Sequence, residues 1–391
     1  MSEYAGQQFV GIDLHRRRSV VVRTTESGEA LEAVQILNDV DRLNAVMARA
    51  GEAPQVVLEA TYGWYWAVDA LQAAGAQVHL AHPLGVKAFE YRRVKNDWRD
   101  ASDLADLLRM GRLPESWIAP PATRELRELV RHRAKLVGLR SHCKVEIHAV
   151  LAKCGVQVLM SDLFSPAGQD LLERCPLPGP YAARVQSLLR VIDVLEDEID
   201  LFARLTRGRL AANPDYVALQ QLPGVGPVLA AVFVAEIGEV TRFGSAAQLA
   251  CWAGLTPKHH ESDTHVHRGR ITKQGSRLVR WAAVESVKSL GSGTVVGAYK
   301  KQVAERRGKN IGTVAAARKQ TEFVFYALRD HHVRALHPPR PAAPPRGYST
   351  ARSSGMRSPI STVGREAVQV MTPTPAKSAV TAWSALLIDP D

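Results

Sequence analysis

Asp97 and Asp100 stand three residues apart in the run Lys95-Asn96-Asp97-Trp98-Arg99-Asp100-Ala101, just ahead of the helical pattern Leu104, Ala105, Leu107, Leu108. Asn96 or Asp97 suits a helix cap, and residues three apart on a helix share a face. Two acids on one face of a first turn can hold a hard divalent cation if further acids approach from elsewhere. They also complement the helix dipole, and alone the pair suits either role. Two further acids, Asp13 and Glu59, each end a short apolar run, Phe9-Val10-Gly11-Ile12 and Gln55-Val56-Val57-Leu58. Runs of that kind read as buried strands, and ligand sites in open α/β sheets gather at strand C-termini. Asp13, Glu59, Asp97 and Asp100 can therefore converge on one spot.

A second chemically suggestive stretch is the polar segment 258–270, which reads as a loop and carries Ser262 among Arg268, Arg270 and Lys273. Cations there would lower the cost of an anionic phosphate, and a serine becomes a nucleophile once activated. The four histidines of the segment invite a zinc reading. It is set aside because the segment has no cysteine and His-x-His spacing is poor for such a site. Leu222-Pro223-Gly224-Val225-Gly226 matches the turn of a helix-hairpin-helix module. In such turns glycines let backbone N–H groups face a nucleic-acid phosphate; an ordinary Gly-Pro turn is the alternative.

The elements that must position these groups follow from pattern. Strands are expected at 9–14, 19–25 and 30–37, joined by links so short that they must be antiparallel neighbours. A helix over 39–50, a strand at 55–59, a helix over 63–74, a strand at 77–81 and a helix over 83–92 follow. The N-terminal part is thus an α/β domain with a mixed sheet. From Thr123 to Cys154 the chain is helical and basic, with Arg124, Arg127, Arg131, Arg133, Lys135, Arg140 and Lys144. A second long helix runs to about Leu210, its Val185, Leu188, Ile192, Leu195, Ile199 and Phe202 stepping by three and four. The pair suits either an antiparallel helical hairpin or a coiled coil with another chain; the hairpin, with a dimer built on it, is the expected unit. Domain boundaries fall at 1–119, 120–212 and 213–335, the last mostly α-helical. Residues 336–391, rich in Pro, Ser, Thr and Ala, read as a disordered tail.

Composition narrows the function classes. The 391 residues are 46% hydrophobic, enough for two or three cores, and carry a net charge of +11 with a pI near 9.6. That balance points to a polyanionic partner such as nucleic acid. Four widely spaced cysteines with no C-x-x-C argue against a disulfide framework and fit a reducing cytosol. The polar start, Met1 to Gln8, has no apolar signal core, and no apolar run reaches the length of a membrane span, so a cytoplasmic protein is expected.

Taken together, Gly11-Ile12-Asp13, Leu58-Glu59-Ala60, Lys95-Asn96-Asp97 with Asp100-Ala101, the Leu222–Gly226 turn, Ala253-Gly254-Leu255-Thr256-Pro257 and Gly269-Arg270-Ile271-Thr272-Lys273-Gln274-Gly275 resemble the DEDD-type insertion-sequence transposases. These form the IS110 family, to which the Piv DNA invertase is related. The resemblance runs from about Phe9 to Arg329. It implies an RNase H-like (RuvC-like) N-terminal domain whose acidic tetrad, Asp13, Glu59, Asp97 and Asp100, holds Mg²⁺. It also implies a C-terminal transposase domain with a serine that becomes joined to DNA. Ser262 occupies the matching place, with Thr264 a distant second. The family usually shows a serine-glycine pair there, whereas Asp263 follows Ser262 here. The resemblance further implies donor and target DNA as substrates, a non-coding bridge RNA that selects them, and a homo-oligomer, dimer or tetramer. Gly224, Gly226, Arg268, Arg270, Lys273, Arg277 and Arg280 are then the candidate nucleic-acid contacts. Two rivals remain open at this stage. One is a RuvC-like junction nuclease using water as attacker; the other is a catalytically silent nucleic-acid-binding protein.

Overall fold

The computed structural model describes residues 4–89, 96–263, 265–331 and 333. The chain divides into two compact units at Pro120/Pro121.

In the first unit, β1 (Phe9–Leu14), β2 (Arg18–Thr24) and β3 (Ala30–Leu37) form the expected antiparallel meander. Then come α1 (Val40–Met47), β4 (Gln55–Glu59), α2 (Trp64–Ala73), β5 (Gln77–Ala81), a single turn α3 (Pro83–Val86), α4 (Asp97–Arg109) and a two-residue edge strand β6 (Glu115–Ser116). The mixed sheet has the order β3-β2-β1-β4-β5-β6, with β4 parallel to β1 and to β5. Strand alternation decides what each face holds. Val10, Ile12, Val56 and Leu58 point to one side and pack with Leu43, Met47, Val68 and Leu71 of α1 and α2. Gly11, Val20, Val22 and Val57 point to the other, where Ala101, Leu104 and Leu108 of α4 cover them. The helix expected over 83–92 continues after α3 only as a 3₁₀ turn to Phe89; its remaining residues, with Lys95, lie outside the described set.

In the second unit, α5 (Pro121–Lys153), α6 (Pro166–Arg174) and α7 (Gly179–Leu210) come first. Glu125 meets Arg209 at 3.1 Å, His132 stacks on Phe202, and Arg140 meets Glu196 at 3.4 Å, so α5 and α7 run antiparallel. The seam is heptad-like: Val185, Ile192 and Ile199 are buried and Leu188, Leu195 and Phe202 half-buried. Next are α8 (Pro214–Leu219), α9 (Pro227–Ile237), α10 (Ala246–Trp252), the strands β7 (Pro257–Ser262) and β8 (His265–Ile271), α11 (Arg277–Lys288), α12 (Val295–Arg307) and α13 (Lys309–Asp330). Their core holds Phe233, Ile237, Leu249, Val279 and Val324, joined by Leu126 and Val130 from the start of α5. The segment expected to be a polar loop is thus a β-hairpin. Alternation of polar residues on a two-stranded ribbon leaves no apolar face for sequence reading to detect. The expected tail falls outside the described residues.

Among the described residues no helix is long and apolar enough to cross a membrane.

Candidate active site

Asp13 is the penultimate residue of β1 and Glu59 the last of β4. The two strands pair in parallel with Ile12 opposite Leu58, so the acids that follow stand side by side at adjacent strand ends. Both belong to the face that α4 covers. That helix lies directly on β1 at Gly11: any Cβ there would collide with the Ala101 carbonyl and the Ala105 nitrogen. Glycine is needed at this position for close approach rather than for its dihedral freedom. The contact brings the N-terminus of α4 to the end of β1. Asn96 caps that helix, its side chain accepting from the Trp98 N–H at 3.1 Å, and Asp97 opens the first turn.

Asp13 and Asp97 meet through a third residue. His15 Nε2 lies 3.1 Å from Asp13 Oδ2 and 3.3 Å from Asp97 Oδ2. One donor atom from each of Asp13, His15 and Asp97 falls within 4.8 Å of the others. Adjacent ligands around a six-coordinate divalent ion are separated by roughly 3 Å, given bonds of about 2.0–2.2 Å, so this donor set fits such an ion. Glu59 and Asp13 line one open cleft of about 580 Å³, together with His15, Arg16, Thr61 and Tyr62. Asp100 sits one turn along α4, half-buried; it is not among the clustered donors of the described residues. Of the four sequence-derived acids, the structure therefore joins Asp13 with Asp97 and sets Glu59 on the same cleft. Sequence reasoning passed over His15. The available signal was its i+2 spacing from Asp13, one residue past the end of β1.

The candidate serine ends β7. Ser262 pairs with His265 across the ladder, and a two-residue connection, 263–264, closes the hairpin. Ser262 is exposed. Asp263 has φ +50°, in the left-handed region. Such tight turns demand that region, where glycine is free and aspartate is among the few side chains tolerated. Asp263 thus adopts the backbone a glycine would supply. Thr264 lies outside the described residues, as does the side chain of Arg268.

The base of the hairpin is locked by two of the motifs. The Thr272 N–H donates to the Thr256 carbonyl at 2.9 Å, and the Lys273 N–H to that of Gly254 at 3.2 Å. Gly254 and Gly275 both have positive φ, and a Cβ would strike the Gln274 carbonyl in the first case and that of Trp252 in the second. Arg270, Lys273 and Arg277 are exposed. Arg280 is a correction: it is buried and its guanidinium donates to the Ala253 carbonyl at 3.0 Å, so it serves the same lock rather than a phosphate. Burial holds its pKa below the ordinary arginine value. Some of the basic residues of α5 are likewise internal. Arg127 donates to the Ala235 and Glu236 carbonyls at the end of α9, and Arg131 pairs with the buried Glu236 carboxylate at 2.7 Å. Gly224, at φ +81°, packs against the Ser286 carbonyl, whereas Gly226 precedes α9 with open space beside it.

Comparison with known proteins gives a consistent result. A family model for DEDD transposases of the IS110 type matches residues 10–155, and one described as the transposase IS116/IS110/IS902 family matches residues 216–292. The chain is 24% identical to a probable family 20 transposase of Pseudomonas aeruginosa, over 68% of this chain and 80% of that one. It is 28% identical to the putative transposase y4qE of Sinorhizobium fredii, over 71% and 70%. It is 24% identical to the transposase for insertion sequence element IS1111A of Coxiella burnetii, over 70% and 77%.

Proposed function

Since this chain belongs to the DEDD insertion-sequence transposases of the IS110 family, we propose that it cuts and rejoins DNA through a covalent bond between Ser262 and a DNA phosphate. The observation that carries the proposal is the meeting of Asp13 and Asp97 at the C-terminal edge of the sheet, with Glu59 on the same cleft. Attack on a phosphodiester must overcome charge that is already negative. A divalent ion, Mg²⁺ in the simplest case, held by the DEDD acids Asp13, Glu59, Asp97 and Asp100 would neutralise the scissile phosphate and favour departure of its oxygen.

The other steps fall to side chains. The Oγ of Ser262 bonds to phosphorus as the P–O3′ bond breaks, the serine gives up its proton, and the leaving oxygen is protonated to a 3′-hydroxyl. His265, opposite Ser262 in the ladder, is the candidate acceptor of the serine proton. Return attack by a 3′-hydroxyl reverses the sequence, so strands rejoin without another energy source. Arg270, Lys273, Arg277 and the turn at Gly224 and Gly226 are the surface for sugar-phosphate backbone. The sequence shows no base-reading module, which suits selection of donor and target by a bridge RNA. The strand order of the first unit, with its antiparallel β1-β2-β3 meander beside parallel β4 and β5, supports a RuvC-like reading of that unit. A homo-oligomer working on cytoplasmic DNA completes the proposal.

The test is to isolate the protein with its bound RNA, add divalent ion and donor DNA, and look for a detergent-stable protein–DNA adduct. Ser262→Ala should lose the adduct and keep nucleic-acid binding, and Asp13→Asn should lose ion-dependent cleavage. Recombination by Ser262→Ala, or release of free ends as a hydrolytic nuclease would give, sinks the proposal.

A further inference from the structure

His15 has no place in an all-carboxylate centre, yet its imidazole stands between the two carboxylates best placed to bind an ion. Its side chain is about half exposed, so burial does not explain its orientation. Its backbone, by contrast, is fixed on both sides. The His15 N–H donates to the Arg18 carbonyl at 3.2 Å, and the His15 carbonyl accepts from Asn38 Nδ2 at 2.6 Å. Asn38 is itself held, its N–H donating to the Arg17 carbonyl at 3.1 Å and its Oδ1 accepting from Ser19 Oγ at 2.6 Å. A turn between two strands has thus been tied down at the residue that aims a nitrogen at Asp13 and Asp97.

We propose that His15 is a protein ligand of the divalent-ion centre, and that it tilts the centre toward Mn²⁺ over Mg²⁺. Mg²⁺ takes oxygen donors and gives up water reluctantly, so an imidazole nitrogen offers it little. Mn²⁺, like other first-row transition ions, accepts an imidazole nitrogen beside carboxylates more readily than Mg²⁺ does. The spacing suits direct ligation, because the His15 nitrogen is as far from each carboxylate oxygen as neighbouring ligands of one ion are from each other. The inference rests on the reading that Asp13 and Asp97 hold the ion of the DEDD centre.

The experiment uses Mn²⁺ itself, bound to the full chain and followed by electron paramagnetic resonance, with Mg²⁺ affinity read by competition. Wild type should bind an Mn²⁺ ion that Asp13→Asn abolishes, and pulsed spectra should show nitrogen coupling to that ion. In His15→Asn the coupling should vanish and Mn²⁺ affinity fall about tenfold, with Mg²⁺ affinity changing by less than about twofold. Histidine labelled with ¹⁵N in the wild-type chain gives the same answer without a substitution, by the isotope change in the coupling. Asp13-dependent Mn²⁺ without nitrogen coupling would overturn the role of His15 and leave the acidic centre standing. Mn²⁺ binding unaffected by Asp13→Asn would overturn both the inference and the reading beneath it.

Discussion

Asp13 and Glu59 project from the ends of two hydrogen-bonded parallel strands in the middle of a six-stranded sheet, whereas Ser262 sits at the tip of two strands that form a sheet of their own. The acids are held by elements buried on both faces, and their separation is set by the strand spacing itself. The serine is held at one end only, by the interlock of the 252–256 turn with the 272–275 turn. A two-stranded ribbon is marginal on its own. Position is thus built in for the groups that would hold the ion, and borrowed from a distant lock for the group that would attack.

The largest expected effect is at Gly11. Gly11→Ala puts a methyl into the backbone of α4 and should cost about 3 kcal/mol or more in denaturant unfolding, by forced overpacking. Asp13-dependent ion binding should fall with it, since Asp97 rides on that helix. A cost under about 1 kcal/mol would mean that α4 is free to shift, and the contrast between the regions would fail. Gly275→Ala, which meets both a positive φ and the Trp252 carbonyl, should cost about 2 kcal/mol. It should abolish adduct formation while leaving ion binding by the first unit intact. Loss of ion binding in this variant would show that the two regions are not independent.

Smaller still is Asp263→Gly. Glycine adopts φ +50° without strain, so the hairpin should gain up to about 0.5–1 kcal/mol at that residue, offset by the entropy of the unfolded glycine. Adduct yield should hold or rise, whereas Asp263→Val should lower it because a β-branched residue resists that region. The smallest effect separates the regions by pH. Glu32 is paired with Arg23 and Arg49, each at 2.8 Å. Burial alone would raise its pKa, but Arg49 and Arg23 together outweigh burial and hold it below the ordinary 4.5. The stabilisation is present above pH 4.5 and fades as pH falls through the lower folded value. Glu32→Gln should therefore flatten the acid limb of the first unit's stability and leave the second unit's unchanged.

Much of the first unit was legible in the chain because burial on one or both faces writes a period into a strand. Val10, Ile12, Val56 and Leu58 declare their strands, and an acid ending each run marks a place where burial stops. The heptad of α7 was equally plain. His15 carried one local signal, its i+2 spacing from Asp13, but nothing local shows that Asp97 arrives beside it, since that depends on the long-range contact of α4 at Gly11. The β7-β8 hairpin was missed because neither face is apolar enough to leave a pattern. The partners of Arg127, Arg131 and Arg280 were not legible for a related reason: a sequence shows charge, but not which carbonyl or carboxylate the charge will meet.

The covalent role of Ser262 is tested most directly by digesting the protein–DNA adduct with trypsin and nuclease and locating the residual nucleotide by mass spectrometry. Cleavage after Lys258 and Arg268 gives a peptide holding Ser262 and Thr264. The expected product is a nucleotide joined through phosphate to Ser262 Oγ, formed only with divalent ion and absent from Asp13→Asn. A nucleotide on Thr264 or on a residue outside this peptide, or cleavage that leaves every protein molecule unmodified, would contradict it.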